Sequence, residues 1–343
     1  RITAGAGDNL LDATGFSGRV TLFGAGGADT LKGGAGNDLL IGNAGGDTLE
    51  GNGGADTLFG GSGGDWLDGG DGPDRLRGQG GSLDSLQGGA GDDSLDGGPG
   101  NDWAIAGGDV DLVLTDVSLS GDGADLLFFI ERAEFVGGDL ANTFDATAFT
   151  GNVTMFGGGG NDTLLGGGGN DLLNGNGGDD NLAAAGGADR VYGGAGNDWI
   201  AGGSGNDRLK GNGGNFDTLV GGSGNDLLHG GSGTGNRARE SSEGNMVLID
   251  GELSGAGTDQ LQSIDIVELL GGPGPNRFNA SAYAGNVILR GGGGNDTLQG
   301  GAGADLVDRL DRHAGGVVRG LQHPGHDRIE QHDLGDTAGA VPT

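Results

Sequence analysis

The sequence predicts an all-β fold, a parallel β-solenoid (β-helix) in which short strands coil around a thin core. Three observations favour this class. Glycine supplies 89 of the 343 residues, without the three-residue period of collagen. A nine-residue pattern of glycines, one aspartate and one aliphatic residue recurs over about half of the chain. Helical periodicity is absent almost everywhere, and the remaining apolar runs are short and bounded by Gly, Asn and Asp.

The nine-residue pattern is clearest in GGAGNDLLI at Gly33–Ile41 and GNAGGDTLE at Gly42–Glu50. Glycine takes the fourth place in every copy, aspartate the sixth, and Leu, Ile or Val the eighth, with Ala104 as the one exception; two copies of ten residues place the aspartate and the leucine one position later. A run of nine copies begins at Gly24, a run of eight copies at Gly157 and a run of two copies at Gly291. Their sixth-place aspartates are the candidate metal ligands: Asp29, Asp38, Asp47, Asp56, Asp65, Asp74, Asp84, Asp93, Asp102, Asp162, Asp171, Asp180, Asp189, Asp198, Asp207, Asp217, Asp226, Asp296 and Asp305.

A second, longer period indicates internal duplication. The segments Asn9–Gly24, Asn142–Gly157 and Asn276–Gly291 align at offsets of 133 and 134 residues, and each leads into a run of repeats. We therefore expect a piece of a longer repeat protein. The predicted layout is the end of a spacer block (1–23), a first solenoid (24–105), a β spacer (106–156), a second solenoid (157–235), a second β spacer (236–290), the start of a third solenoid (291–308) and a non-repeat C-terminal tail (309–343).

The two spacers contain less glycine, and we expect them to continue the stacking with longer coils. Each includes a lone half-repeat whose aspartate, Asp125 or Asp259, could be a metal ligand or an ordinary turn residue. Short β-branched or aromatic runs predict the spacer strands: Leu112–Thr115, Leu126–Ile130, Phe135–Val136, Val153–Phe156, Val247–Ile249, Leu261–Val267, Leu269–Leu270 and Val287–Leu289.

Two repeats predict one flattened coil of 18 residues, strand, turn, strand, turn. Glycines permit the tight turns, and successive coils stack at about 4.8 Å. The eighth-place side chains then stack inward as a thin core. Aspartates two repeats apart stack in ladders, so that Asp29, Asp47 and Asp65 form one ladder and Asp38, Asp56 and Asp74 the other.

Such a coil is not expected to fold without a cation. One buried Leu contributes about 1.5–3 kcal/mol per repeat, whereas ordering nine backbones costs about 9–18 kcal/mol. Stacked carboxylates about 5 Å apart add about 1 kcal/mol of repulsion per pair in water. Calcium accepts six to eight oxygens in flexible geometry, whereas magnesium requires a stricter octahedron. Zinc and copper prefer His or Cys, which the repeats lack apart from His229. We therefore expect several bound Ca²⁺ ions.

The repeats GGAGNDLLI, GGSGNDRLK (Gly202–Lys210) and GGGGNDTLQ (Gly291–Gln299) resemble GGxGxDxUx, the nonapeptide of the RTX, or hemolysin-type, calcium-binding repeat proteins. The resemblance implies a parallel β-roll with calcium held between turns of adjacent coils by the sixth-place aspartates and turn carbonyls. It also implies type I secretion, with the chain unfolded in the low-calcium cytosol and folding outside the cell.

Some repeats depart from the family pattern. A non-glycine residue in the second place is expected to weaken the turn at Ala25, Asn43, Asn52, Gln79, Asn176, Ala185 and Asn212. An extra residue in two repeats puts calcium binding at Asp84 and Asp217 in doubt. The stretch GGSGTGN (230–236) lacks the aspartate, so a site is expected to be lost there.

Composition narrows the function classes. A net charge of −32 argues against nucleic acid and anionic membrane surfaces as partners. No apolar run approaches the roughly 18 residues of a transmembrane helix. GGSGG (Gly60–Gly64) formally matches a nucleophile elbow but lacks a strand–turn–helix context, and HExxH is absent. We therefore expect no catalysis in this segment.

The function expected from the sequence is calcium binding by a secreted, extracellular or cell-surface module with a structural or interaction role. One alternative is an accessory or secretion-assisting module of a secreted enzyme or toxin, such as a protease, lipase, epimerase or hemolysin. Another is an adhesin or surface-layer array. A cell-surface or polysaccharide partner stays open.

Two further features have competing interpretations. Trp66, Trp103 and Trp199 occupy the outward seventh place, where packing against a spacer or another chain is favoured over a sugar platform. The tail holds four of the five histidines, His313, His323, His326 and His332. Metal binding, a mobile polar tail and a non-cleaved export signal are the alternatives for it.

Overall fold

The fold consists of short β-strands joined by tight turns. The computed structural model describes residues 1–309, 317–319 and 328–331, and this part of the chain contains no helix. The chain divides into two compact units, Arg1–Arg190 and Val191–Thr343. The expected metal-binding or export role of the four tail histidines lies outside the described residues.

The strands of the N-terminal unit are mostly three to six residues long. In chain order they are β1 (Ile2–Thr3), β2 (Leu10–Asp12), β3 (Thr21–Gly26), β4 (Thr30–Lys32), β5 (Leu39–Ala44), β6 (Thr48–Gly53), β7 (Thr57–Ser62), β8 (Trp66–Asp71), β9 (Arg75–Gly80), β10 (Ser85–Ala90), β11 (Ser94–Asp96), β12 (Trp103–Gly107), β13 (Leu112–Thr115), β14 (Ser118–Ser120), β15 (Ala124–Phe128), β16 (Arg132–Val136), β17 (Thr143–Ala148), β18 (Asn152–Gly159), β19 (Thr163–Leu165), β20 (Leu172–Gly177) and β21 (Asn181–Gly186). Strand β22 (Arg190–Ala195) spans the boundary between the units.

Strands of the N-terminal unit pair in parallel with the strand two places later, which is the pattern of a coil with two strands per turn. Strands β3, β5, β7, β9 and β11 follow one another in one sheet, and β2, β4, β6, β8, β10 and β12 in the other. The register is set by the repeat, since Leu22 pairs with Leu40 and Leu40 with Leu58. The predicted parallel solenoid with coils of about 18 residues is therefore confirmed.

The core of the repeat runs is one aliphatic side chain deep. In the strands of the repeat runs the eighth-place residue faces inward, as does the first residue of the next repeat two positions later, whereas the residue between them faces outward. The inward leucines, such as Leu31, Leu40 and Leu49, are fully buried. In the first spacer the core is larger, because Phe135 and Phe144 pack edge to face at a centroid distance of 5.6 Å.

The first spacer continues the stacking but contains an antiparallel element that was not predicted. Strand β15 pairs in parallel with β11, and β16 with β12, as the repeats do. Strand β14 pairs in antiparallel fashion with both β13 and β15. The turn between β13 and β14 is closed by the Thr115 hydroxyl, which accepts hydrogen bonds from the Val117 and Ser118 amides. The sequence signal for this turn is weak because it contains neither glycine nor proline.

The C-terminal unit repeats this organisation. Its strands are β23 (Trp199–Ser204), β24 (Arg208–Gly213), β25 (Thr218–Ser223), β26 (Leu227–His229), β27 (Arg237–Ser242), β28 (Asn245–Ile249), β29 (Glu252–Ser254), β30 (Thr258–Gln262), β31 (Ile266–Gly271), β32 (Arg277–Ala282), β33 (Asn286–Arg290), β34 (Thr297–Gln299), β35 (Leu306–Arg309), β36 (Val317–Arg319) and β37 (Arg328–Gln331).

Pairing in the C-terminal unit is again parallel between β23 and β25, β24 and β26, and β25 and β27. The antiparallel strand β29 lies between β28 and β30 in the second spacer. The predicted single strand Leu261–Val267 is wrong, because Ser263 has a φ of 52° and separates β30 from β31. Beyond the last repeat, β36 pairs with β34 and β37 with β35, so the parallel stacking extends into the tail.

Turns in which the second glycine is replaced keep the left-handed backbone. All seven replacing residues have φ between 68° and 86°, namely Ala25, Asn43, Asn52, Gln79, Asn176, Ala185 and Asn212. Asparagine is the residue besides glycine that accepts this conformation most readily, which accounts for four of the seven. The turn geometry is therefore retained, and the cost of the replacement is backbone strain at the alanines and the glutamine.

This strain predicts that Ala25→Gly stabilises the folded chain by about 1 kcal/mol, because a left-handed φ disfavours a Cβ by about that amount. Asn52→Gly should change the free energy of unfolding by less than about 0.5 kcal/mol. Urea denaturation of both variants in saturating calcium measures the difference. Equal effects of the two substitutions would contradict the strain argument.

Candidate metal sites

The nineteen sixth-place aspartates are buried, not solvated. Each has at most 3 % of its surface exposed, although charged carboxylates are normally left in water. Each lies in the turn directly before a strand, two residues before the inward aliphatic side chain. An acidic solvent-facing surface is therefore excluded as the reason for the repeated aspartate.

The aspartates of the first repeat run form two ladders, as predicted. In both ladders the backbone amide of one aspartate donates to Oδ1 of the aspartate in the next coil. Asp29 donates to Asp47 at 2.8 Å, and Asp47 donates to Asp65 at 2.8 Å. In the other ladder Asp38 donates to Asp56 at 2.6 Å. One carboxylate oxygen thus caps the neighbouring coil, a role that the repeat pattern alone did not reveal.

The second oxygen, Oδ2, has no hydrogen-bond partner in many of these carboxylates. In the N-terminal unit this group comprises Asp29, Asp47, Asp56, Asp65, Asp74, Asp84, Asp93, Asp102 and Asp162. In the C-terminal unit it includes Asp217 and Asp226. A buried oxygen without a partner is costly, particularly on a charged group. In each of these carboxylates the ladder hydrogen bond therefore satisfies only Oδ1.

The unpartnered oxygens face a gap beside the first glycine of the repeat, which we call the glycine gap. A Cβ placed on Gly51 would lie 2.5 Å from both Asp56 Oδ2 and the carbonyl oxygen of Gly69 in the next coil. A Cβ on Gly42 would likewise lie too close to Asp47 Oδ2 and to the Gly60 carbonyl oxygen. Because the first glycine has no side chain, a carboxylate oxygen and a carbonyl oxygen of the next coil can both lie close beside it. Both are oxygens of the kind that calcium prefers as ligands.

Burial raises the pKa values of the ladder carboxylates, because protein groups do not fully compensate their negative charge. Burial raises the pKa of Asp56 and of Asp65 to about 6, and that of Asp74 to about 7. The ladder hydrogen bonds lower each pKa, and the neighbouring ladder carboxylates raise it again. A bound dication would stabilise the charged forms directly.

Three aspartates differ from the others in their second oxygen. Oδ2 of Asp38 accepts a hydrogen bond from the Gly34 amide at 2.8 Å. Asp171 accepts one from Gly167 at 3.0 Å, and Asp305 one from Gly301 at 2.8 Å. The three occupy the same place in the long period, in the second repeat after each spacer. The protein itself compensates part of their charge, so the nineteen repeats are not equivalent.

The two ten-residue repeats keep their aspartates in the ladder. Asp65 donates to Asp84 Oδ1 at 2.9 Å, and Asp84 donates to Asp102 at 2.8 Å. Asp198 donates to Asp217 Oδ1 at 3.0 Å. The extra residue enlarges the turn, which turns the Phe216 side chain outward with 68 % of its surface exposed. The geometry at Asp84 and Asp217 thus matches that of the other repeats.

The ladders of the N-terminal unit extend into its spacer. Asp93 donates to Asp125 Oδ1 at 3.1 Å, and Asp102 donates to Glu131 Oε2 at 2.9 Å. Asp125 had two interpretations from the sequence, and the structure places it in the ladder. Glu131 was missed because it lies outside the nine-residue spacing.

The ladders of the C-terminal unit also extend into its spacer. Asp226 donates to Asp259 Oδ1 at 3.0 Å, so Asp259 joins the ladder as well. Asp217 donates to Asn236 Oδ1 at 3.2 Å, and Asn236 donates to Asp265 Oδ2 at 2.9 Å. The stretch that lacks an aspartate therefore keeps the hydrogen bond through an amide but loses the negative charge.

The donor set suits a hard cation. Among the described residues, no three His, Cys, Asp or Glu side chains converge as a preformed metal cluster. The repeated gap instead pairs one carboxylate with backbone carbonyl oxygens, and such ligands favour calcium over transition metals. Solenoid, ladder and glycine gap together define a calcium-binding repeat protein.

Comparison with known families agrees with this class. The RTX calcium-binding nonapeptide repeat (4 copies) matches residues 14–49, 23–58, 59–82, 80–113, 136–173, 156–191, 183–215, 212–234 and 270–307. These matches cover more than half of the chain, and the chain belongs to the RTX calcium-binding nonapeptide repeat family. Its cofactors are accordingly several Ca²⁺ ions. No curated protein matches the chain, and no helix in the described residues is long and apolar enough to cross a membrane.

The outward tryptophans contact spacer residues. The Arg132 guanidinium lies 5.2 Å from the Trp103 ring centre, and Arg239 lies 5.6 Å from that of Trp199. Each arginine comes from a spacer strand, so these two rings pack against spacers within their own units. Trp66 is 38 % exposed.

The glycine gap predicts that Asp56→Asn weakens calcium-dependent folding. Asparagine can keep the ladder hydrogen bond through Oδ1, but it removes the charge beside the gap. We expect a loss of about 2 kcal/mol in calcium, close to the contribution of one well-occupied site. Urea denaturation in calcium measures it, with Asp71→Asn as the control because Asp71 is exposed and carries the same charge. An equal loss in both variants would contradict a specific role for Asp56.

Proposed function

We propose that this chain is a structural module whose folding is controlled by extracellular calcium. The module is exported in an unfolded state, stays unfolded at cytosolic calcium levels and folds when it reaches millimolar calcium outside the cell. The role carried by this segment is structural, and calcium is the ligand that triggers it.

The observation that carries this proposal is the row of buried Oδ2 atoms without a hydrogen-bond partner. Each coil of the repeat runs buries two carboxylates and only about two aliphatic side chains. The free energy of unfolding therefore depends on what neutralises the ladders. A ligand that binds only the folded state stabilises that state by mass action. The free energy of metal binding then contributes directly to the free energy of folding.

Secretion is supported by the same dependence. A chain with a net charge of −32 and 89 glycines resists collapse when its carboxylates lack counter-ions. At the low calcium level of the cytosol it would remain extended and suitable for passage through a narrow export channel. Folding outside the cell would then prevent its return.

Small-angle X-ray scattering at two calcium levels tests the proposal. At about 0.1 µM free calcium we expect an unfolded chain with a radius of gyration of about 66 Å, from the scaling for unfolded chains. At about 1–10 mM calcium, which exceeds the affinity range of extracellular modules, the radius should fall well below that value. A chain that is compact at both calcium levels would contradict the proposal.

A further inference from the structure

The second spacer buries an acidic side chain that has no counterpart in the repeats. Glu240 lies on β27 with 6 % of its surface exposed, and it faces inward like Ala238 two residues earlier. Strand β27 pairs with β25 in the register Leu219 to Ala238. Two residues further along the two strands, Glu240 lies beside Gly221. Glu240 therefore occupies the place held by the first residue of a repeat, which is glycine in every repeat of the run except for Ala184.

The Glu240 carboxylate lies near two ladder aspartates. It accepts hydrogen bonds from the backbone amides of Ser241 and Gly222, and Gly222 belongs to the neighbouring coil. Beside Gly222, a Cβ on Gly221 would lie 2.5 Å from Asp226 Oδ2. Asp226 in turn donates its amide to Asp259 Oδ1 at 3.0 Å. Three carboxylates from three segments of the chain are thus gathered in one buried neighbourhood.

Two observations indicate that protein groups compensate this charge only in part. Asp226 Oδ2 is buried without a hydrogen-bond partner, and Asp226 as a whole is 2 % exposed. Burial, followed by the negative charge of Asp259, raises the pKa of Glu240 to about 7. Burial likewise raises the pKa of Asp259 to about 6. An isolated buried carboxylate of this kind is strongly unfavourable unless a cation or proton neutralises it.

The first spacer provides an internal comparison. Its residues correspond to those of the second spacer at an offset of 133 or 134, so that Asp93, Ala106 and Asp125 match Asp226, Glu240 and Asp259. The strand pairing agrees, because Ala106 lies opposite Phe135 and Glu240 opposite Leu269. Where the second spacer has the Glu240 side chain, the first has a cavity of about 70 Å³ lined by Ala106, Asp125 and Gly88.

We propose that Glu240 and Asp259, two carboxylates outside the repeat pattern, convert the repeat site of Asp226 into a divalent-cation site that is served by three carboxylates instead of one. The three side chains are neighbours and not a closed cage. The rotatable bonds of Glu240 would bring its oxygens onto the ion, and backbone carbonyls would complete the coordination. More negative ligands mean tighter binding, so this site would fill at lower calcium than the repeat sites. The inference rests on the calcium-dependent folding proposed above.

The test is equilibrium dialysis of the full chain with radioactive calcium, with circular dichroism as a check of folding. Glu240→Gln should weaken the binding of one of the tightest-binding calcium ions at least about tenfold, because it removes one carboxylate ligand. Glu243→Gln is the matched control, since Glu243 is exposed in the same spacer and loses the same charge. It should leave the binding curve unchanged.

A gain-of-site variant makes the test independent of any folding defect in the second spacer. Ala106→Glu places the missing carboxylate in the cavity beside Asp93 and Asp125, and it should convert the repeat site of Asp93 into a second tight calcium site. The inference is overturned if Glu240→Gln binds calcium as the wild type does, or if Ala106→Glu folds in calcium but gains no tight site. A wild-type chain that shows no calcium-driven transition would instead overturn the proposed function.

Discussion

Gly51→Ala is expected to destabilise the calcium-loaded chain by at least about 3 kcal/mol. The added methyl would occupy the glycine gap, 2.5 Å from both Asp56 Oδ2 and the Gly69 carbonyl oxygen. Real Cβ contacts with oxygen are longer, so the two coils would have to separate or the aspartate would have to move. Loss of one site filled at a hundredfold of its dissociation constant already costs about 2.7 kcal/mol, and strain adds to it. Urea denaturation in saturating calcium measures the effect.

The matched control is Gly168→Ala. Gly168 lies in a turn of another repeat, has no neighbouring atom within 4 Å of its added Cβ, and its φ is not in the left-handed region. Its substitution should change the free energy of unfolding by less than about 0.5 kcal/mol. If Gly51→Ala is tolerated as well as Gly168→Ala, the first glycine is not needed for the close approach of the Asp56 and Gly69 oxygens.

Acidification in chelator is expected to increase the β-structure of the calcium-free chain. The folded-state pKa of Asp74 is raised to about 7, and those of Asp56 and Asp65 to about 6, from an ordinary value of 3.8. Between pH 4 and 7 the folded state therefore holds more protons than the unfolded state, so stability falls as the pH rises through this window. Lowering the pH from 8 to 5 relieves the penalty. Circular dichroism in chelator measures the change.

In calcium the pH dependence should reverse, because the metal binds the deprotonated carboxylates. The calcium midpoint is then expected to rise as the pH falls from 7 to 5. Asp74→Asn should flatten the chelator profile, whereas the exposed Asp71→Asn, with the same loss of charge, should not. A calcium-free chain that loses β-structure on acidification would contradict the assignment of buried, uncompensated carboxylates.

The solenoid could be predicted from the sequence because its geometry is strictly periodic. A fixed spacing of nine residues places Leu22, Leu40 and Leu58 in register and stacks Asp29 on Asp47 without any long-range information. The antiparallel strands Ser118–Ser120 and Glu252–Ser254 could not be predicted in the same way. Each occurs once per spacer and is three residues long. Each is held by hydrogen bonds to neighbouring strands that the periodicity does not identify.

The positions of the candidate sites could be predicted from the sequence, but the roles of the individual carboxylate oxygens could not. The aspartate spacing identifies the ladders, but it does not show that Oδ1 caps the next coil while Oδ2 faces the glycine gap. It treats Asp38 as equivalent to Asp56, although only Asp38 receives the Gly34 amide on its second oxygen. Glu131 and Glu240 are outside the repeat pattern, and only the strand pairing places them beside ladder carboxylates.

Far-UV circular dichroism with calcium titrated from chelator to about 10 mM, at neutral pH and with magnesium as the control, tests the central claim most directly. We expect a coil spectrum in chelator and a cooperative transition to β-structure at about 0.1–1 mM calcium, the range of extracellular modules. Magnesium at the same concentrations should leave the chain unfolded. A chain that is already folded in chelator, or that folds equally well in magnesium, would contradict calcium as the element that completes this fold.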